Sequence, residues 1–176
     1  MDIYEAIKKR RSIRKYISKP VEEEKLKRVL EAGRLAPSGK NVQAWKFIIT
    51  RDVGLKDKLI EACKGQKFMK EADAIITVCV NEEEVYQYHG NYMTSFAVDG
   101  AIALQQMMLA ATAEGLGTCW IGAFYEKDVK KILDIPAPYR VIGLTPLGYP
   151  AERGRDRGRK PLKEIVYNEK WGNSYN

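Results

Sequence analysis

Histidine and cysteine are scarce in this sequence, which limits the chemistry that its side chains can perform unaided. The 176 residues include one histidine, His89, and three cysteines, Cys63, Cys79 and Cys119, which are far apart and have apolar neighbours. A single histidine leaves almost no room for a histidine-based triad or a multi-histidine metal site. Dispersed cysteines argue against a zinc site and a disulfide framework. We therefore predict no metal site, and buried cysteines that act as small hydrophobic side chains.

An apolar leader and an uninterrupted apolar run are also lacking. The N-terminal residues Met1 to Glu5 contain no signal region, and the most apolar stretch, 96–113, contains Asp99, Gln105 and Gln106. A run of that composition is a poor membrane span. The sequence predicts a cytoplasmic protein with no membrane partner.

Phosphate-binding glycine loops are missing too. Five residues separate Gly33 from Gly39, and Asn41 stands where a P-loop needs Ser or Thr. The segment Gly115-Leu116-Gly117 lacks the third glycine of a dinucleotide fingerprint. An enzyme without these motifs must borrow its chemistry, and a bound organic cofactor is the natural source.

Positive charge is abundant and uneven. The formal net charge is +7, and many of the Lys and Arg residues fall in two distant stretches, 8–19 and 153–163. An excess of this kind suits a partner that carries phosphate. A length of 176 residues suits a single domain that spans the whole chain, 1–176. Within one domain, guanidinium groups from both ends of the chain could converge on one phosphate.

Hydrophobic periodicity predicts mixed helices and strands. The segment 92–114 is apolar on almost every face, and a helix of that kind must be buried against the sheet or against another subunit. An apolar tail usually docks on a surface. From about residue 150, we therefore expect the tail with Ile165, Tyr167 and Trp171 to contact a partner subunit. The predicted helices are 3–7, 26–33, 55–63, 92–114 and 126–133, and the predicted strands are 45–50, 74–80, 118–122 and 141–147.

Four segments, taken in order, resemble the FMN-dependent nitroreductase family over most of the chain. The first, Arg10 to Tyr16, is similar to the family's Arg-x-Ser-x-Arg/Lys signature after the first helix. The resemblance implies that Arg10 and Ser12 hold the flavin phosphate and that Arg14 reaches the pyrimidine ring, with Arg11 as a further candidate. A guanidinium fork matches phosphate oxygens well.

The second segment, Ala36 to Trp45, resembles the family loop Pro-Ser-x-x-Asn-x-Gln-Pro-Trp, although Ala44 replaces the second proline. In the family this loop reaches the flavin ring of the other subunit. The resemblance therefore implies cofactor-binding roles for Pro37, Ser38, Gly39 and Asn41.

The third segment joins 99–111 to 115–124 and resembles the family's central dimer helix and the Gly-rich strand that follows it. It implies that the backbone at Ile121, Gly122 and Ala123 approaches flavin N5, where an N–H donor would support developing charge. Phe124 is then expected to line the substrate pocket.

The fourth segment, Leu147-Gly148-Tyr149-Pro150 followed by Arg157 and Arg159, resembles the family's C-terminal signature. Arg157 and Arg159 would complete the phosphate clamp, and Arg153 and Arg155 are interpreted as solvated excess charge. The family also supplies pyrimidine contacts from a segment before the second strand, where three residues remain as alternatives: Gln66, Lys67 and Lys70.

The resemblance implies an α+β fold with a mostly antiparallel central sheet flanked by helices, in an intertwined homodimer. It implies a ping-pong reaction in which FMN passes reducing equivalents from NADH or NADPH to a small acceptor such as a nitroaromatic or a quinone. Related branches with dehalogenase-like or flavin-cleaving chemistry, and a non-catalytic flavin sensor, remain alternatives. A nucleic-acid-binding module and a cofactor-free structural protein are disfavoured, since no nucleic-acid-binding motif is recognisable.

Overall fold

The computed structural model describes residues 1–175, which form helices around a central antiparallel sheet. The helices are α1 (Ile3–Lys9), α2 (Glu23–Arg34), α3 (Val53–Ala62), α4 (Phe96–Ala113) and α5 (Glu126–Ile132); the strands are β1 (Tyr16–Ile17), β2 (Trp45–Thr50), β3 (Ala74–Asn81), β4 (Gly117–Thr118) and β5 (Tyr139–Pro150). The order in the sheet is β1-β5-β3-β2, and β4 pairs with β5 at the side.

Strand β3 is buried at every position because helices cover both faces of the sheet. Alternate residues enter different cores, since side chains alternate across a strand. Ile75 and Cys79 pack with α3 and α5, whereas Ile76 and Val78 pack with α2 and α4. The antiparallel α+β architecture is as predicted, and all three cysteines are buried as expected.

Helix α4 begins at Phe96, so the prediction of a helix from Tyr92 was wrong. Gly90 and Asn91 have left-handed φ values of 58°, and the Ser95 N–H bonds to the Tyr86 carbonyl oxygen at 2.9 Å. These residues therefore form a closed loop before the helix. The end of α4 follows the prediction, because Gly115 adopts a left-handed φ of 76°.

The buried side of α4 lies close to the sheet. A Cβ atom on Gly100 would lie 2.5 Å from Ile142 Cγ1. By length and composition alone, α4 is the one helix of the described chain that could cross a membrane, with a mean hydropathy of 1.2. Its packing on the sheet and the buried Asp99 in its first turn are features of a core helix.

The two ends of the chain run together beside β4. Tyr16 pairs with Pro150, and the Ala151 N–H bonds to the Lys15 carbonyl oxygen at 2.9 Å. The predicted strand 118–122 is shorter than expected: β4 ends at Thr118, and only an isolated bridge at Ile121 continues the pairing. The residues after Ile121 are thereby released from the sheet.

Candidate active site

Arginines from both ends of the chain line one small cavity of about 90 Å³. The segment after α1 is held beside β4 by a Ser12–Thr118 bridge, with the Ile13 N–H bonded to the Thr118 carbonyl oxygen at 2.9 Å. The segment after β5 returns along the same edge. The cavity is lined by Arg10, Arg11, Ser12, Arg14, Arg155, Arg157 and Arg159.

Arg11 ties the two segments together. Its guanidinium group donates to Asp156 Oδ2 at 2.6 Å and to the carbonyl oxygens of Lys8 and Arg10. The Gly158 N–H and the Arg11 guanidinium hold the pKa of Asp156 below its usual range. Because several Arg11 donors are already used within the protein, this residue is better suited to positioning the segments than to holding a ligand.

Arg155 lines the cavity, contrary to the interpretation that Arg153 and Arg155 are both solvated excess charge. Left-handed turns at Gly154 and Gly158, with φ values of 72° and 68°, direct this part of the chain along the cavity. Arg153 is exposed and is not among the cavity residues. No signal in the sequence separates the two arginines, since the difference depends on these turns.

The donor set of the cavity fits a phosphomonoester. Among residues 1–175, Arg10, Arg14, Arg157 and Arg159 form no ion pair, and the Asp156 carboxylate is engaged by Arg11. Guanidinium groups and a serine hydroxyl are strong donors to phosphate oxygens. An anion in the cavity would therefore offset a concentration of like charge that the protein itself leaves uncompensated.

The backbone at Gly122 and Ala123 is exposed at the end of the sheet. Ile121 exchanges hydrogen bonds with Leu144, at 2.8 and 3.2 Å, and anchors this segment. Within the described chain, the N–H groups of Gly122 and Ala123 have no hydrogen-bond partner. They are therefore available to a ligand. The neighbouring Phe124 is half-buried and packs against the core between α3 and α5.

Gln66 lies beside this exposed backbone. Its amide nitrogen donates to the Ala123 carbonyl oxygen at 3.3 Å and to the Cys63 carbonyl oxygen at 3.0 Å. Lys70 instead pairs with Asp57 at 2.9 Å. Of the three residues that the sequence left open, the geometry favours Gln66 as the neighbour of the candidate site.

The loop from Pro37 to Gln43, here called the 37–43 loop, lies apart from the arginine cavity within one chain. The Gly39 N–H bonds to Asp99 Oδ1 at 3.0 Å, and the Ser38 hydroxyl accepts from the Gln43 N–H. Pro37, Ser38, Gly39 and Asn41 are therefore brought together, but not with Arg10 and Ser12.

Asp99 is a positioning residue that the sequence analysis missed. Its side chain is 3% exposed, and it accepts hydrogen bonds from the Gly39 N–H and from the Ser95 hydroxyl, the latter at 2.8 Å. The signal in the sequence was a single carboxylate in an otherwise apolar helix, which indicates a buried group with a structural role. A buried carboxylate needs donors, and here a loop outside the helix supplies one of them.

Comparisons with known proteins agree with this architecture. The Nitroreductase family model matches residues 7–74 and 61–149. A putative NADH dehydrogenase/NAD(P)H nitroreductase of Methanothermobacter thermautotrophicus is 33% identical over 177 residues, covering 97% of this chain and 88% of the relative. The protein named FMN reductase (NAD(P)H) of Bacillus subtilis is 27% identical, covering 98% of this chain and 75% of the relative.

Solved structures extend the agreement to the fold. A crystal structure of a nitroreductase family protein from Clostridium novyi NT is 36% identical with a TM-score of 0.80, covering 99% of this chain and 97% of that one. Fold and cavity thus define an α+β protein with positive charge concentrated at one place. The matches make the assignment specific: the chain belongs to the nitroreductase family.

Proposed function

We propose that the chain is a cytoplasmic, homodimeric enzyme that binds FMN and passes reducing equivalents from NADH or NADPH to a small acceptor such as a nitroaromatic or a quinone, by a ping-pong reaction. One observation carries the proposal: arginines from both ends of the chain meet around a single phosphate-sized cavity. Family membership and the names of its relatives make it an NAD(P)H-dependent oxidoreductase with a flavin cofactor.

The residues of the cavity would hold the phosphate of FMN, which supplies hydride acceptance and donation when bound. In this proposal Arg10, Ser12, Arg157 and Arg159 bind the phosphate, and Arg11 fixes the two segments through Asp156. Arg14, whose guanidinium carbon lies 5.7 Å from the ring centroid of Phe68, extends towards the pyrimidine edge. A cation there favours negative charge on the ring.

The exposed backbone after β4 would face the reactive edge of the ring. The free N–H groups of Gly122 and Ala123 donate there, and small residues allow close approach. Gln66 steadies this segment through the Ala123 carbonyl oxygen and presents its amide at the same edge. Phe124 contributes an apolar wall to the acceptor pocket. No side-chain acid or base is assigned, so the protein acts by orientation and electrostatics.

A homodimer would complete each site, because the 37–43 loop then reaches the cofactor of the partner subunit. Two surfaces support this assembly. The outer side of α4 carries a mostly apolar groove formed by Ala97, Val98, Ala101, Ile102, Gln105, Gln106 and Leu109. The tail exposes Ile165 at 58% and Trp171 at 91%, fractions that leave large apolar side chains to be covered by a partner.

The groove between α2 and β2 is the surface that we propose for the partner's tail. Strand β2 is the last strand of the sheet, so one of its edges has no strand neighbour within the described chain. The groove beside that edge combines apolar residues, Leu30, Trp45, Phe47 and Ile49, with charged residues of α2 and with Lys46 of β2. A strand edge without a neighbour can pair with a further extended segment.

Anaerobic spectroscopy tests the proposed function. The purified protein should retain FMN through gel filtration, lose its visible absorbance on addition of NADH or NADPH, and regain it when a quinone or nitroaromatic follows. Protein that does not take up FMN contradicts the proposal. A visible band that survives both nicotinamides would instead favour a flavin sensor.

A further inference from the structure

Lys40 is an exposed cation within the 37–43 loop, and no carboxylate of residues 1–175 pairs with it. It forms no ion pair among residues 1–175, and its Nζ lies 5.2 Å from the ring centroid of Tyr86. Its φ of 51° is left-handed, as are those of Asn41 and Gln43. Such values are unfavourable for most residues other than glycine, and they persist where the surroundings hold them.

Tyr86 is fixed against this loop rather than resting on it by chance. A Cβ atom on Gly39 would lie 2.7 Å from Tyr86 Cβ, so the Tyr86 side chain packs directly on the Gly39 backbone, where a side chain would not fit. Asp99 holds Gly39 from one side, and the Ser95 N–H bonds to the Tyr86 carbonyl oxygen on the other. These contacts fix Tyr86 against the loop, beside the backbone of Lys40.

Tyr88 extends the aromatic surface outward from Tyr86. The two rings meet edge to face, with centroids 6.2 Å apart and an interplanar angle of 69°. Tyr88 is 67% exposed, so most of its surface is open to a ligand. Aromatic faces pack well against flat apolar rings, and the neighbouring ammonium group attracts a negative substituent on such a ring.

We propose that Lys40, with Tyr86 and Tyr88, recognises the acceptor, and that the preferred acceptors are planar aromatic compounds that carry a carboxylate or another anionic group. This inference rests on the proposed function, in which the 37–43 loop lies beside the cofactor of the partner subunit. It names a substrate class: negatively charged nitroaromatics or quinones are reduced in preference to neutral ones of the same shape.

A matched pair of acceptors tests the proposal, namely 4-nitrobenzoate and 4-nitrobenzamide, which differ chiefly in charge. The kcat/KM ratio for the pair is measured in the holoenzyme, in Lys40→Met and in Lys58→Met, a control at an exposed lysine of α3 that forms no ion pair in the described chain. We expect the native protein to favour the carboxylate by roughly fivefold, as for one exposed charge pair. Lys40→Met should abolish the preference, Lys58→Met should keep it, and added salt should weaken it.

Tyr88→Ser separates the aromatic contribution from that of the charge. It should raise KM for both acceptors without changing their ratio, because it removes packing surface and leaves Lys40 in place. An unchanged KM in Tyr88→Ser contradicts the aromatic part of the proposal. Equal reduction of both acceptors by the native protein, or a preference that survives Lys40→Met, overturns the inference while leaving the proposed function intact. If NADPH and NADH reduce the protein but neither acceptor reoxidises it, the proposed acceptor class fails as well.

Discussion

At the scale of single residues, Gly39 and Asp99 explain how a loop with three left-handed residues is held in one conformation. Asp99 supplies a buried acceptor for the Gly39 N–H. Gly39 leaves no space for a side chain, since an added Cβ would lie 2.7 Å from Tyr86 Cβ and 3.0 Å from Ser95 Oγ. The position of the loop therefore depends on the lack of a Cβ atom at Gly39 and on the Asp99 carboxylate.

Gly39→Ala should lower the free energy of unfolding by about 1–3 kcal/mol, the usual cost of overpacking. Urea denaturation measures the change. Gly54→Ala, in the first turn of helix α3, is the control, because its Cβ would meet only the Asp52 carboxylate, at 3.3 Å. Alanine is the better helix former, which offsets this contact, so the control should lose less stability than Gly39→Ala. Equal destabilisation in both variants would contradict the account of the loop.

The residues of the arginine cavity were partly predictable. The uneven distribution of charge led to the hypothesis that the two ends of the chain meet at one phosphate, and the family resemblance implied Arg10 and Arg159 in particular. The separate roles of Arg11 and Arg155 were not predictable, because they depend on Asp156 and on turns at two glycines. Asp156 lies in a basic stretch and has many possible partners, and only the folded structure shows that Arg11 is the one it bonds to.

At the scale of helices and strands, Arg140 joins three elements. Its guanidinium group, at the start of β5, bonds to Glu126 of α5 at 2.8 Å and to Glu82 after β3 at 3.0 Å. The Val141 N–H adds a bond to Glu126. Desolvation raises the pKa of Glu126, but the bonds from Arg140 and Val141 outweigh it, so this pKa lies below its ordinary value of 4.5.

Stability should therefore fall as the pH drops below about 4.5, the ordinary pKa of this group. The sign follows from linkage: a carboxyl with a depressed folded pKa stabilises the fold above its unfolded pKa, and this contribution disappears as the folded carboxylate is protonated. Glu126→Gln should flatten the acid limb of a stability–pH curve measured with urea. Glu84→Gln is the control, since the Glu84 carboxylate has no partner in the described chain. An unchanged acid limb in Glu126→Gln would contradict this role.

Most of the longer elements followed from hydrophobic periodicity, and the errors at α4 and β4 have local causes. Strands 45–50 and 74–80 were predictable because alternation and continuous burial mark them clearly. The start of α4 was misplaced because Tyr92 and Met93 continue an apolar pattern while Gly90 and Asn91 turn the chain. The prediction of β4 was too long because Cys119 and Ile121 enter the core, while only Ile121 still pairs with β5, as an isolated bridge.

At the scale of the whole molecule, the proposed dimer depends on a tail whose apolar residues are exposed in one chain. Trp171→Ser should weaken the dimer by about 2 kcal/mol, the contribution of a buried aromatic anchor. Sedimentation velocity over a dilution series measures this change against a chain mass of 20.0 kDa. Val53→Ser, at an exposed residue at the start of α3, should leave the dimer unchanged. A native protein that sediments as a monomer would contradict the proposed homodimer.

The central claim is that both ends of the chain bind one phosphomonoester, and a comparison of FMN with riboflavin tests it most directly. Fluorescence titration of the apoprotein should give much tighter binding of FMN, the ligand that carries the phosphate. Arg10→Ala and Arg159→Ala should each reduce that difference by about tenfold or more, the effect of one charged hydrogen bond, whereas Arg153→Ala should preserve it. Equal affinities for the two flavins in the native protein, or an Arg153→Ala variant as impaired as the other two, would contradict the claim.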